Sequence, residues 1–375
     1  MNKEEVAIKW LSIENFLSFK KTTVEFGKLT VLVGPNASGK SNLIKALTLL
    51  SCIGKADRPI ILHSLCKNCL GTEAIEQFFH DSNRNVRLKI DLRIENHDAS
   101  YLISFDTRGL LTEEKMTFDG QNLLIRLSNG KVQYMTESGK IVKTSIADNE
   151  IGLLHVLPNA HSNLRKVKDC VGGIFTYSFE SDSIRSSSPV SFNLSLKRDG
   201  SNLSQTLHTL LTAQRKRFIQ IEEVMKKLIP EIEEINVPST EDGKETFLSI
   251  REKEIDKSLT HQNISDGTLR ILAFVTALYL KGVLIAFEEP ENCVHPYLFE
   301  TLVDLARKAP AQVVMTTHSP YLVSKVKNPE DLLLLTKEKG QTKIERVQDI
   351  DDVKKLLEEG FPLGEIWYMG QLQRD

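Results

Sequence analysis

Apolar residues recur along the chain with two periods, and the switch between them outlines the fold. Residues 6–33 carry short apolar runs (Ile8 to Phe16, Val24 to Phe26, Leu29 to Val33) with the period of strands. A helical pattern follows from Lys40 to Leu50. From Val86 to Thr144 the period is two again, broken by the turn pairs Asp119-Gly120, Asn129-Gly130 and Ser138-Gly139, which predicts an antiparallel meander. The serine-rich stretch 181–191 reads as a loop. One helical pattern covers Leu203 to Ile229, with Gln214-Arg215-Lys216-Arg217 on its polar side, and strands return from Ile235 to Leu259. Next come a helix over Asp266–Leu280, a strand over Val283–Phe287, a helix over Pro296–Lys308 and a strand over Gln312–Thr316. A short helix, two strands and a last helix near Asp352–Glu359 complete the pattern. Such alternation predicts an α/β fold with a mostly parallel core sheet, carrying an antiparallel β subdomain and a helical subdomain. The shifts of period predict four parts: 1–85, 86–200, 201–262 and 263–375. No internal repeat or long heptad run is present.

The most apolar stretch, Thr268 to Phe287, is interrupted by Arg270, Lys281 and Gly282 and runs straight into Glu288-Glu289. It reads as a buried helix leading to a buried strand, not a membrane span. The start, MNKEEVAIKW, is charged and lacks the apolar core of a secretory signal. With 375 residues, 41% hydrophobic and 26% charged, the chain falls in the ordinary globular class and needs no disulfide or structural metal to fold. The 48 Lys+Arg against 50 Asp+Glu leave a net charge of −2, which excludes a generally basic nucleic-acid binder but not local basic patches. An odd count of 5 cysteines points to reduced thiols, a reducing compartment and a cytoplasmic location.

Against that background four short motifs carry chemistry. The first is Gly34, Pro35, Asn36, Ala37, Ser38, Gly39, Lys40, Ser41, which fits G-x-x-x-x-G-K-[ST] (Walker A) between a β-branched strand and a helix. The glycines let the loop wrap so that backbone N–H groups and the helix N-terminus face phosphates. Lys40 is expected on the β- and γ-phosphates of a nucleotide, and the Ser41 hydroxyl on Mg²⁺. The second is the buried strand Val283–Phe287 ending in Glu288 and Glu289, since adjacent carboxylates at a buried strand end are costly unless they meet a cation or polar substrate. Glu288 is assigned to Mg²⁺, and Glu289 to orienting and polarising the attacking water. The third is Thr316-Thr317-His318-Ser319-Pro320 at the end of the next strand. A lone histidine is more often structural, but this position sets His318 beside Glu289. The fourth, Ser265-Asp266-Gly267, opens the apolar helix with a good N-cap; alone it is a capped helix start, and with the others a second anion-binding terminus.

In this order the four motifs resemble the ATPase head of the ABC superfamily, in its SMC/RecF/OLD-like branch. Ile13-Glu-Asn-Phe16-Leu-Ser-Phe19 is similar to the opening of those heads. Closer still are short stand-alone predicted ATPases with an AAA-ATP-like domain. Their features appear here as Asp199-Gly-Ser-Asn202-Leu203, Ser265 to Arg270, Glu288-Glu-Pro-Glu291-Asn292, His295-Pro296 and Gly364-Glu-Ile-Trp367. The resemblance implies an ABC-type P-loop head split between 1–85 and 263–375, with the parts between them as a β-rich subdomain and a lid. It implies ATP and Mg²⁺ as cofactors, with Lys40, Glu289 and His318 catalytic. Ser265, Asp266 and Gly267 then form the signature that caps the γ-phosphate held by another subunit, and Glu291 to His295 form a dimer-facing D-loop that includes Asn292. Asp266 and Cys293 stand where glycine is usual. Gln77 and Gln133 are the candidates for the Q-loop.

By the same resemblance the partners are a second copy, as a homodimer or a higher even-numbered homo-oligomer, with DNA or RNA, or an effector protein such as a nuclease or toxin. The setting implied is genome maintenance or antiviral and mobile-element defence, without a membrane. An ATP-controlled scaffold regulating a toxin is the competing reading. A transporter subunit is the third, and the β meander and long helix between Ser41 and Ser265 argue against it. His63-Ser-Leu-Cys66-Lys-Asn-Cys69 has zinc-like spacing without a second ligand pair, so reduced thiols are expected there. Arg165-Lys166-Val-Lys168 and Arg215-Lys216-Arg217 read as solvated faces or phosphate contacts.

Overall fold

The computed structural model of the chain describes residues 6–72, 74–127, 130–192 and 194–369. Strands β1 (Val6–Phe16), β2 (Phe19–Glu25) and β3 (Leu29–Val33) lead to helices α1 (Lys40–Lys55) and α2 (Leu62–Leu70). The meander follows as β4 (Val86–Ile94), β5 (His97–Phe105), β6 (Leu111–Phe118), β7 (Gln121–Arg126), β8 (Lys131–Met135) and β9 (Ile141–Ser145). Next come α3 (Gly152–Val156), α4 (Ser162–Gly172), β10 (Ile174–Tyr177), α5 (Ser181–Ile184), β11 (Ser188–Pro189), α6 (Leu203–Ala213) and α7 (Arg215–Leu228). Four short strands, β12 (Ile232–Asn236), β13 (Glu245–Thr246), β14 (Ser249–Glu252) and β15 (Leu259–Thr260), precede α8 (Asp266–Tyr279). The last part runs β16 (Leu284–Glu288), α9 (Phe299–Lys308), β17 (Gln312–Thr317), α10 (Pro320–Val323), β18 (Leu332–Glu338), β19 (Gln341–Arg346), α11 (Asp351–Glu358) and α12 (Leu363–Tyr368).

Two large sheets organise these elements. The core sheet has the order β10-β16-β17-β3-β18-β19, parallel throughout except for β19. Its inner strands are covered on both faces, which is why their sequences read as continuous apolar runs. Leu29, Val31, Val33, Ile285, Phe287, Val313 and Met315 face a core shared with α6 to α9. Leu32, Leu284, Ala286 and Val314 face a second core shared with α1, α4 and the antiparallel sheet. That sheet has the order β2-β1-β4-β5-β6-β7-β8-β9, so the N-terminal strands join the meander across residue 85. No helix among the described residues is long and apolar enough to cross a membrane.

Several sequence expectations are corrected. The single helix expected over Leu203–Ile229 is two, broken at Gln214 (φ −137°), which frees Phe218, Ile221 and Met225 of α7 to turn onto the core on their own. The serine-rich stretch is not all loop, since α5 packs on α8 and β11 pairs with β13. The helix near Asp352–Glu359 is followed by another, α12. The cysteines are not all free: Cys52 of α1 and Cys69 of α2 form a disulfide with their Cα atoms 6.5 Å apart, because these two helices pack side by side. Cys66 lies in the core, where burial pushes its thiol up to about 12. The His63, Cys66 and Cys69 side chains therefore do not converge on a metal position.

Candidate active site

Motif residues collect where β3, β16 and β17 end. The register pairs Glu288 with Thr316, Thr316 with Leu32 and Thr317 with Val33, so the three strand ends lie level. The Gly34–Ser41 loop leaves β3 here and passes into α1. Gly39 is the N-cap of α1 at φ +109°, and a Cβ there would stand 2.3 Å from Thr342 Oγ1, so only glycine fits. The loop is braced from below: Thr342 Oγ1 donates to the Ser38 carbonyl at 2.7 Å, and Asn42 Nδ2 donates to Ser18 Oγ at 2.7 Å. Pro35, Asn36 and Ala37 form its exposed crest, and Ser41 is exposed at the first turn of α1.

Lys40 is folded back over the loop, its ammonium donating to the carbonyls of Gly34 at 2.6 Å and Pro35 at 3.0 Å. Burial lowers its pKa, and the nearby negative charges of Glu289 and Glu291 oppose that shift. The loop thus holds a cation against its own carbonyls.

Glu288 and Glu289 part ways at the end of β16. Glu288 faces Arg198, whose guanidinium donates to Glu288 Oε1 at 2.5 Å. Glu289 takes a left-handed backbone (φ +46°), anchored by its N–H to the Thr316 carbonyl at 3.1 Å. Such a conformation is uncommon for glutamate and is held only where the surroundings enforce it. It turns the carboxylate so that Oε2 accepts from Asn292 Nδ2 at 2.9 Å and Oε1 lies 3.2 Å from His318 Nδ1. His318 in turn is fixed from behind, because the indole N–H of Trp367 in α12 donates to its carbonyl at 3.5 Å. Gly364 lets α12 seat closely on α10, since a Cβ there would stand 2.3 Å from the Pro320 carbonyl.

The Glu291–His295 segment differs from a uniformly outward-facing loop. Glu291 is buried, its carboxylate accepts from the Thr317 hydroxyl, and its Oε2 has no hydrogen-bond partner among the described residues. Burial raises its pKa, opposed by that hydroxyl. Cys293, standing where glycine is usual, adopts φ +64°, so the backbone keeps a glycine-like turn. Its carbonyl packs on Gly267, where a Cβ would come within 2.6 Å, and this joins the segment to the start of α8.

At that start Ser265 is the N-cap of α8, accepting from the Thr268 N–H at 3.1 Å. Asp266 does not face solvent as a free anion: Arg185 donates to it at 2.5 Å and also to the carbonyls of His261 and Gln262 at 2.8 and 3.0 Å. Among the described residues no hydrogen bond joins Ser265, Asp266 or Gly267 to Gly34–Ser41 of the same chain. Of the two glutamines, Gln77 is exposed in the single turn Ile75–Phe78, and the Phe78 carbonyl accepts from the Leu17 N–H beside Ser18. Gln133 lies on β8, near the far edge of the antiparallel sheet. Lys168 is buried on the Gly54 carbonyl at 2.8 Å, so it is not part of a solvated face.

Arg198, Arg185 and Thr342 were not singled out in the sequence. Arg198 directly precedes the Asp199-Gly-Ser-Asn202 motif, which was the available signal.

Comparison with known proteins points to ATPases. Residues 7–168 match the family model of an AAA ATPase domain, and residues 174–324 match that described as "AAA domain, putative AbiEii toxin, Type IV TA system". An ATP/GTP phosphatase of Helicobacter pylori is 21% identical over 335 residues, covering 83% of this chain and 85% of that protein. The chromosome partition protein Smc of Methanocaldococcus jannaschii is 26% identical over 152 residues, 40% of this chain but only 12% of that protein. A crystal structure of an Smc head bound to the C-winged helix domain of ScpA superposes with a TM-score of 0.60 at 12% identity, over 90% of this chain and 97% of that one. The class is therefore that of P-loop ATPase heads. Within it, the chain is an ATPase with AAA-type domains, similar to the heads of the SMC/RecF/OLD-like branch of the ABC superfamily.

Proposed function

We propose that this chain hydrolyses ATP in a Mg²⁺-dependent reaction at a site completed by a second copy, and that the cycle controls a partner. The observation that carries this reading is the meeting of Lys40, Glu289 and His318 where β3, β16 and β17 end, with Glu289 Oε1 3.2 Å from His318 Nδ1. Lys40 leaves the Gly34 and Pro35 carbonyls for the β- and γ-phosphates, to which Gly34–Ser41 also offers backbone N–H groups. Ser41 and Glu288 supply hard oxygen donors of the kind Mg²⁺ takes, and the ion when bound offsets charge on the β- and γ-oxygens. Glu289 orients the attacking water and accepts its proton, with Asn292 and His318 holding both carboxylate oxygens in place.

The exposed start of α8 offers the Ser265 hydroxyl and the backbone N–H groups of Asp266 and Gly267 to the γ-phosphate of a partner copy, with the Asp266 carboxylate held on Arg185, so two chains related by a two-fold axis enclose two nucleotides. The role that follows is that of a cytoplasmic switch acting on DNA or an effector in genome maintenance or defence. An Smc head seated on a domain of ScpA supports a protein partner. The toxin–antitoxin description of the model matching 174–324 supports the second reading, an ATP-controlled regulator of a toxin.

Glu289→Gln tests the composite site. With Mg-ATP it should bind about one nucleotide per chain without turnover and accumulate as a dimer or higher even-numbered assembly by light scattering. A Glu289→Gln protein that stays monomeric at saturating ATP refutes the composite site, and Lys40→Ala hydrolysing at the parent rate refutes the nucleotide site itself.

A further inference from the structure

The turn over Asp199–Asn202 is braced beyond the needs of a connector. Asp199 Oδ1 accepts from the Ser201 N–H at 3.0 Å. The buried Asn202 accepts from the Lys197 N–H at 2.7 Å and donates to the Ser195 carbonyl at 2.8 Å. Gly200 sits at φ +81° with Ile184 so close that a Cβ would stand 2.7 Å from it. These contacts fix the backbone on both sides of Arg198. Its own carbonyl accepts from the Ser178 N–H at 2.9 Å, just past the end of β10, the strand beside β16. The side chain crosses that one strand spacing and meets Glu288 Oε1 at 2.5 Å.

The contact occupies one oxygen of Glu288 and leaves the other. It also adds a cation at the end of β16, where Glu289 follows Glu288 with a second carboxylate and Glu291 with a third. A nucleotide brings further negative charge into this cluster, and a carboxylate free to swing is a poor metal ligand.

We infer that Arg198 is a positioning residue of the ATPase: it pins Glu288 through Oε1 so that Oε2 is held for Mg²⁺, and the Asp199–Asn202 turn serves to present it. This rests on the assignment of Glu288 to the metal in the proposed function.

The test is Mg²⁺-dependent ATP binding, followed by calorimetry in the full-length Glu289→Gln protein, where no turnover intervenes. Arg198→Ala should raise the Mg²⁺ concentration at half-saturation about tenfold, the usual scale for losing a group that orients a metal ligand. Its ATP affinity in EDTA should stay within about twofold. Arg198→Lys, which keeps the charge and one donor, should recover most of the loss, and its thermal melt checks that both variants are folded. An unchanged or lowered Mg²⁺ midpoint in folded Arg198→Ala overturns the inference, the latter by making Arg198 a competitor of the metal. So does a loss of ATP binding in EDTA, which makes it a nucleotide contact. If the Mg²⁺ midpoint also stays unchanged in Glu288→Gln, the metal assignment itself fails and this inference falls with it.

Discussion

Replacing Gln312 by methionine should destabilise the chain by about 3 kcal/mol while sparing the catalytic end of β17. Gln312 opens β17 and is almost fully buried. Its Oε1 accepts from the Ile8 N–H at 2.7 Å, and its Nε2 donates to the carbonyls of Ile8, Phe26 and Gly27 at 3.0, 3.2 and 3.1 Å. One amide thereby joins the core sheet to the antiparallel sheet. On this edge β2 pairs with β1 only from Trp10 onward, so no strand replaces the lost partner of Ile8. Methionine keeps the volume and removes every bond. The orphaned N–H costs about 1–3 kcal/mol, and the carbonyls that shared two hydrogens add about 1 more. Unfolding 375 residues carries an entropy of roughly 0.8 kcal/mol/K, so the melting temperature should fall by about 4 °C. Differential scanning calorimetry measures it. ATP turnover at 25 °C should stay within about twofold, because β16 and β3 fix the far end of β17 independently. A melt within 1 °C of the parent refutes the reasoning, as does lost turnover at an unchanged melt.

Two further outcomes are expected. If the proposed composite site forms, Arg185→Ala leaves Asp266 unpaired where a second copy's γ-phosphate would approach, so ATP-driven assembly should weaken about tenfold by sedimentation equilibrium, and adding Asp266→Asn should restore it. A double variant no better than the single one would show that Arg185 only supports the loop at His261. Glu291 carries a carboxyl that burial holds above its usual range, so the folded chain binds its proton more readily than the unfolded chain. Its contribution is favourable below about pH 4.3 and is lost as pH rises through the folded value. Glu291→Gln should therefore melt higher than the parent at pH 8, with the gap closing toward about pH 4. A gap that does not change with pH contradicts this.

What the chain's sequence determined by itself is whatever depends on near neighbours and on period. Gly34–Ser41 could be read because its glycines, lysine and serine are consecutive and its strand and helix adjoin it. The approach of Glu289 to His318 was also legible, since both follow apolar strands of one parallel sheet, whose C-terminal ends lie on the same side. Period told which faces of β3, β16 and β17 are apolar, because both are covered. It could not tell which loop lies over a given strand end. Arg198 on Glu288, Arg185 on Asp266, Trp367 behind His318 and Gln312 on Ile8 join residues 90, 81, 49 and 304 positions apart. Each pair exists only once the sheets and helices have packed. The same holds for the Cys52–Cys69 bridge, which needs α1 and α2 side by side, and for Glu291, turned inward by a left-handed Glu289 and Cys293 on either side of it. Local propensity disfavours those two backbone conformations, and the packed strand ends enforce them.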